Sequence, residues 1–155
     1  MLDGFHSLEG FQSADLTVVT NVGDDLVLSG NLICPDTDSV LYTLSGQIDR
    51  ETWYGLEGDT FRTHERLVEL HSGTEDLIPV EGGSRAGGLG TERSFSGRGE
   101  FMRLGDADRA THIHRTSLLE EGWTLTQATQ RIGESLGVPE TVLPVTNDPL
   151  STYVL

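Results

Sequence analysis

The apolar and polar positions of this chain fall into two alternating rhythms. "LTVVTNV" (Leu16 to Val22) is β-branched and almost continuously apolar, the signature of a strand inside a parallel sheet. "VGDD" ends it. "DTDSVLYTLSG" follows with a helical period: Val40, Leu41 and Leu44 share a face, Asp36 or Thr37 is placed to cap the start, and Gly46 stops the run. "DTFRTHERLVELHSG" predicts another helix, with Asp59 as N-cap and Gly73 as stop, although His64 interrupts its apolar face. "ATHIHRTSLLEEG" predicts a third, ending at Gly122. "TLTQATQRIGESLG" predicts a fourth, opened by a Thr124/Gln127 capping box and carrying Leu125, Ala128, Ile132 and Leu136 on one face. "TVLPVT" is a second short buried-type strand and "STYVL" the start of another. Strands alternating with helices imply an α/β fold with a largely parallel sheet.

Between these elements, residues 75–100 lose all periodicity. "EDLIPVEGGSRAGGLGTERSFSGRGE" is rich in Gly, Ser and charge and reads as a disordered surface insertion. Its "GGLG" is not a phosphate loop, because no strand precedes it and no helical pattern follows. The outer ends of the chain lie inside patterned segments: "MLDGF" resembles helix interior and "STYVL" is an unfinished strand. The reading is a domain incomplete at both ends.

Composition sharpens the picture. The chain has 155 residues, a formal net charge of −15 and no lysine, every base being arginine apart from histidine. Such a surface repels the phosphates of nucleic acid and of anionic membranes. Dense carboxylates also repel one another, and salt screens that repulsion, so the composition suits concentrated salt. No apolar run approaches the length of a membrane span, and the first residues lack the basic start and apolar stretch of a signal peptide. The lone cysteine, Cys34, excludes an internal disulfide and fits a reducing, cytoplasmic setting.

The candidate chemistry lies in carboxylates and one histidine-rich stretch. Asp24 and Asp25 directly follow the first strand, at the carboxyl end where open α/β sheets bind ligands. Adjacent carboxylates suit a hydrated magnesium ion that bridges to phosphates, or equally belong to a generally acidic surface. Asp36 and Asp38 flank Thr37 at the start of a helix, where the dipole favours them, and Asp38 could equally point toward the Asp24 loop. "LGDADRATHIHR" gathers Asp106, Asp108, Arg109, Thr111, His112, His114 and Arg115. On a helix His112 and His114 diverge, which argues against a zinc pair. Arg109 and Arg115 are free to pair with local acids. Cys34 has no basic neighbour in sequence and reads as packed and inert.

Taken together, "NVGDDLVLSGNLICPDTDSVLYTLSGQID", "WYGLEGDT", "RLGDADRATHIHR" and "LPVTNDPLSTY" resemble the 2-phospho-L-lactate transferase (CofD-like) family over the whole chain outside the insertion. The resemblance implies a Rossmann-like three-layer α/β/α sandwich, commonly dimeric. It implies transfer of a 2-phospholactyl group, or a phosphoenolpyruvyl group in some relatives, from a guanosine-diphosphate-linked donor to the deazaflavin Fo, giving coenzyme F-420-0 and GMP with Mg2+ as cofactor. Carried over by motif, Asp24, Asp25 and Asp38 correspond to a metal region, with Asp38 also at the acceptor as the catalytic candidate. Asp106, Arg109, Thr111 and His112 correspond to the deazaflavin side. Two departures stand out: the family's "GGTG"-type glycine loop, expected upstream of "MLDG", and its second half are not in this chain, so the donor site is expected to be incomplete. The alternatives are a nucleotide-binding regulatory protein of the same fold and an inactive remnant.

The excess of acid makes stability depend on salt. The thermal midpoint is expected to rise as KCl is raised from about 0.1 M to several molar, where the Debye length falls to about 3 Å or less. A midpoint indifferent to salt would contradict the reading.

Overall fold

The computed structural model describes residues 16–71 and 103–150. The elements are β1 (Thr17–Thr20), β2 (Leu26–Leu28), β3 (Asn31–Ile33), α1 (Pro35–Leu44), α2 (Arg62–His71), α3 (Asp106–Glu120), α4 (Leu125–Leu136) and β4 (Thr141–Pro144). The predicted insertion at 75–100, the Gly73 stop and the "MLDGF" and "STYVL" segments lie outside the described residues. β1 and β4 pair in parallel, with Val18 opposite Val142 and Val19 opposite Leu143. The whole described chain between them forms the crossover, and the α/β class is as expected.

α1 and α4 cover one face of this strand pair. Leu41, Leu44, Ile132, Val138 and Val142 form a single buried cluster, with Leu16, Val18, Val40 and Leu136 against it. Gly133 makes the helix contact close, since a Cβ there would stand 3.4 Å from Leu41 Cδ2. The reading of β1 as buried on both sides needs correction: Val19 is 61% exposed. Among the described residues no element covers that face.

α4 follows its sequence signals closely. Thr124 and Gln127 form the reciprocal capping box, and Gly137 ends the helix at φ 76. α1 departs from them. It starts one residue early, with Pro35 at the first helical position, where its fixed φ and missing N–H do no harm. Cys34 occupies the N-cap without a side-chain bond, so neither Asp36 nor Thr37 caps the helix. The Thr37 hydroxyl instead meets that of Thr20, 2.8 Å away, and ties α1 to the carboxyl end of β1.

Between β1 and α1 runs a hairpin that the pattern reading missed. β2 and β3 pair antiparallel around Ser29 and Gly30, whose φ values of 53 and 79 are those of a two-residue type I′ turn.

The start of α3 holds a second correction. The helix begins at Asp106, four residues before the predicted Ala110. Asp59, expected to cap α2, caps α3 instead: its carboxylate accepts from the Ala107 and Asp108 amides at 3.0 Å. Asp106 returns the arrangement, accepting from the Arg62 and Thr63 amides at the start of α2, both at 3.0 Å, and from the Thr60 hydroxyl at 2.6 Å. These bonds hold the Asp106 carboxyl well below the usual range. Two helix starts thus exchange acidic caps, each carboxylate also favoured by the other helix's dipole.

Gly105 makes the exchange possible. A Cβ at that position would lie 2.0 Å from Asp59 Oδ2. Gly105→Ala is therefore expected to displace the cap and cost about 1–2 kcal/mol by chemical denaturation, comparable to losing a cap outright. In an Asp59→Ala background the same change should cost clearly less; full additivity would refute the shared contact.

Candidate functional site

α3 presents a polar stripe to the interior where a hydrophobic one is usual. Asp108, His112, Arg115 and Leu118 are its buried residues, spaced by four and three so that they share a face. His114 points outward, as the helical geometry requires. Opposite the stripe stands α1 with Asp38, 4% exposed, and Tyr42, 1% exposed.

The two helices meet through charge. Arg115, fully buried, grips both Asp38 oxygens through its two terminal nitrogens, Nη1 donating to Oδ2 at 3.1 Å and Nη2 donating to Oδ1. His112 Nε2 lies 3.2 Å from Asp38 Oδ2 and 3.3 Å from Asp108 Oδ1. The Tyr42 hydroxyl donates to Asp108 Oδ1 at 2.8 Å. β3 is fastened to the same helix, since the Leu32 amide donates to the Thr116 hydroxyl at 2.8 Å.

Burial opposes charge on Asp38, His112 and Arg115, so the directions of their shifts reveal what wins. Desolvation would push the Asp38 carboxyl up, but Arg115 and the bond from His112 more than offset it and hold it below the ordinary value. Desolvation would lower His112, but the bonds and charges of Asp108 and Asp38 outweigh it and raise the imidazole. Arg115 is likewise held cationic. Two carboxylates and two cations then balance. Burial and the negative charges of Asp38 and Asp108 push the Tyr42 phenol up.

A second group of acids sits at the carboxyl end of β1. The two neighbours Asp24 and Asp25 diverge. Asp24 is exposed and accepts from the Asn21 side-chain amide at 3.3 Å, and the same amide donates to Asp36 at 2.9 Å. Asp25 turns inward and accepts from the Cys34 thiol at 3.1 Å. Desolvation lifts Asp25 to about 6 against the thiol bond and the Arg115 charge. Cys34 is buried and its thiol is pushed up, chiefly by desolvation, so it stays protonated and inert.

The structure therefore brings Asp38 and His112 together and adds Asp108, Arg115 and Tyr42, which the motif reading had not assigned. It places Asp24 with Asp36 and Asn21, and Asp25 between the two groups. Asp106 is committed to capping α2. Arg109 and Thr111 are half-buried on α3, one on either side of the stripe. The clue to the missed residues was the 108/112/115 spacing, visible only once polar side chains are allowed to face inward.

Against known families, the whole chain, residues 1–155, matches the model described as 2-phospho-L-lactate transferase CofD. The chain belongs to the CofD family. It is 41% identical over 149 residues to the 2-phospho-L-lactate transferase of Haloarcula marismortui, covering 93% of this chain and 45% of that protein. With the Methanosarcina acetivorans protein of the same name it shares 43% over 154 residues, 99% of this chain and 41% of the relative. With that of Halobacterium salinarum it shares 40% over 150 residues, covering 93% and 45%. This member of the CofD family thus spans less than half the length of the curated relatives it matches.

As to metal, one oxygen each of Asp38 and Asp108 and a nitrogen of His112 lie within 4.8 Å of one another. Both oxygens of Asp38 are already taken there by the Arg115 guanidinium. The exposed Asp24 and Asp36 carboxylates, drawn together by the Asn21 side-chain amide, are hard oxygen donors open to water and suit magnesium.

The network predicts a pH dependence with two limbs. Asp38 is depressed, so its contribution is complete above the unfolded value of 3.8 and lost as pH falls through the lower folded one. His112 is raised, so its contribution is complete below 6.5 and lost as pH rises through the higher folded value. Asp25 slopes the other way from Asp38, its folded form losing stability between 3.8 and about 6. Subtracting the stability of His112→Gln from that of the wild type should isolate an advantage that is constant below about 6.5 and declines above it. An advantage growing with pH would contradict the assignment.

Proposed function

We propose that this chain forms the acceptor side of a 2-phospho-L-lactate transferase that moves a 2-phospholactyl or phosphoenolpyruvyl group from a guanosine-diphosphate-linked donor to Fo. The observation that carries this reading is the unbroken match of residues 1–155 to the family model. The geometry supports it, because an acid-rich rim at the carboxyl end of a parallel strand adjoins a buried, charge-balanced polar network.

In the transfer, an acceptor hydroxyl oxygen forms a new bond to the transferred phosphorus. The bond from that phosphorus to the bridging oxygen breaks, GMP leaves with that oxygen, and the hydroxyl proton departs. Asp24 and Asp36 would hold Mg2+. When bound, the ion neutralises diphosphate charge and stabilises the leaving GMP.

Asp38 suits orientation better than proton abstraction. A carboxylate held below its ordinary pKa by Arg115 is a weak base, and a general base works best near the operating pH. Its fixed lone pairs are better used to accept a hydrogen bond from the hydroxyl. Arg115 and His112 keep the carboxylate ionised and in one rotamer, so their role is to position it. The half-buried Arg109 and Thr111 and the bound-in Asp106 shape the helix start beside this pocket.

The direct test is titration of the chain with Fo in molar KCl and Mg2+, followed by GMP release from the guanylylated donor. Saturable Fo binding by this chain is the expected result, with Fo-dependent GMP release expected from a full-length relative. Asp38→Asn in a full-length relative should lower transfer by about 10²–10³, the scale of losing one preorganised polar contact. Absence of Fo binding by the wild-type chain would overturn the proposal.

A further inference from the structure

Residues 49–55 form a turn built at visible cost. Trp53 sits at φ 55, in the left-handed region that bulky side chains avoid, and Gly55 follows at φ 70. The turn is closed on both sides. The Asp49 amide donates to the Gly55 carbonyl at 3.1 Å and the Trp53 amide to the Asp49 carbonyl at 2.8 Å. The Thr52 hydroxyl donates to the Tyr54 carbonyl at 2.9 Å, and the Asp49 side chain accepts from Glu51 at 2.8 Å. The indole of Trp53 is left 53% exposed.

What this strained turn achieves is to aim Tyr54 inward. Its hydroxyl is shut off from solvent, and it has no hydrogen-bond partner among the described residues. The ring lines a cavity of about 10 Å³ together with Asp38, Ser39, Asp108 and His112, room for about one oxygen atom. Nearly all buried hydroxyls in native proteins are paired, so an orphan one held in place by strained backbone points to a partner that arrives with a ligand.

The walls define that partner's chemistry. Asp38 and Asp108 set carboxylate acceptors beside the phenol of Tyr54, so the cavity offers both an acceptor and a donor. An uncharged hydroxyl can donate to a carboxylate and accept from the phenol at once. Resting on the transferase reading above, we infer that Tyr54 is a specificity-determining residue that donates a hydrogen bond to a hydroxyl of the polyol side chain of the acceptor, seated in the cavity it lines with Asp38 and Asp108.

Tyr54→Phe removes the hydroxyl and leaves the ring that covers the network. In the full chain, in molar KCl with Mg2+, two readouts are compared. The thermal midpoint of the ligand-free variant should equal or exceed that of the wild type, because an unpaired buried oxygen is gone. Fo affinity should fall about tenfold, the scale of one hydrogen bond into a buried site. A lower midpoint would mean that the hydroxyl is already satisfied within the protein and would overturn the inference. Equal Fo affinity in wild type and variant would overturn it as well, leaving the transferase reading intact. Failure of the wild type itself to bind Fo would remove both.

Discussion

Everything around the candidate site depends on one buried ion pair. Arg115 and Asp38 lie 77 residues apart in sequence and face each other across the seam between α1 and α3, both out of water. Removing a charge from water costs several kcal/mol even after relaxation, so neither group is tolerable there without the other. The pair therefore dictates how the two helices stand. Once α1 is fixed by Thr37 on Thr20 and by its apolar packing on α4, Asp38 has one position, and α3 must bring its guanidinium there. His112 and Asp108 complete the charge balance, and Tyr42 closes it.

Less conspicuous contacts carry the pair to its place. The exchanged caps between Asp59 and Asp106 set the start of α3, and with it the phase of the stripe Asp108, His112, Arg115. A start displaced by one residue would rotate the stripe by about 100° and turn it out of the seam. Gly105 lacks a Cβ for the same reason. The β2–β3 hairpin returns the chain from the end of β1 to the start of α1 and, through Leu32 and Thr116, fastens itself to α3. Site geometry is thus set by helix starts and one turn acting on helices that the core holds in place.

These dependencies explain what could be read from the sequence and what could not. The capping box at Thr124 and the apolar face of α4 are local signals with local causes, and both appear as read. The α/β class and the strands at 17–20 and 141–144 follow from β-branched runs. The interior face of α3 was opaque, because periodicity was sought among apolar residues while its inward residues are mostly ionisable. Asp59 was a correct cap assigned to the wrong helix, since the sequence shows that a carboxylate precedes a helix but not which amides it reaches. The resemblance drew attention to Asp38 and His112 and the sequence named Asp108 and Arg115 as candidates, while the partner of Arg115 and the role of Tyr54 emerged only when the two helices and the 49–55 turn were brought together.

The central claim is that this network is a closed set of two carboxylates and two cations. The titration of His112, followed by its imidazole resonances in nuclear magnetic resonance, examines that most directly. The account predicts a midpoint above the ordinary 6.5, raised by the bonds and charges of Asp108 and Asp38. A midpoint at or below that value would mean that burial wins, that the imidazole is neutral, and that the network lacks the second cation on which the balance rests.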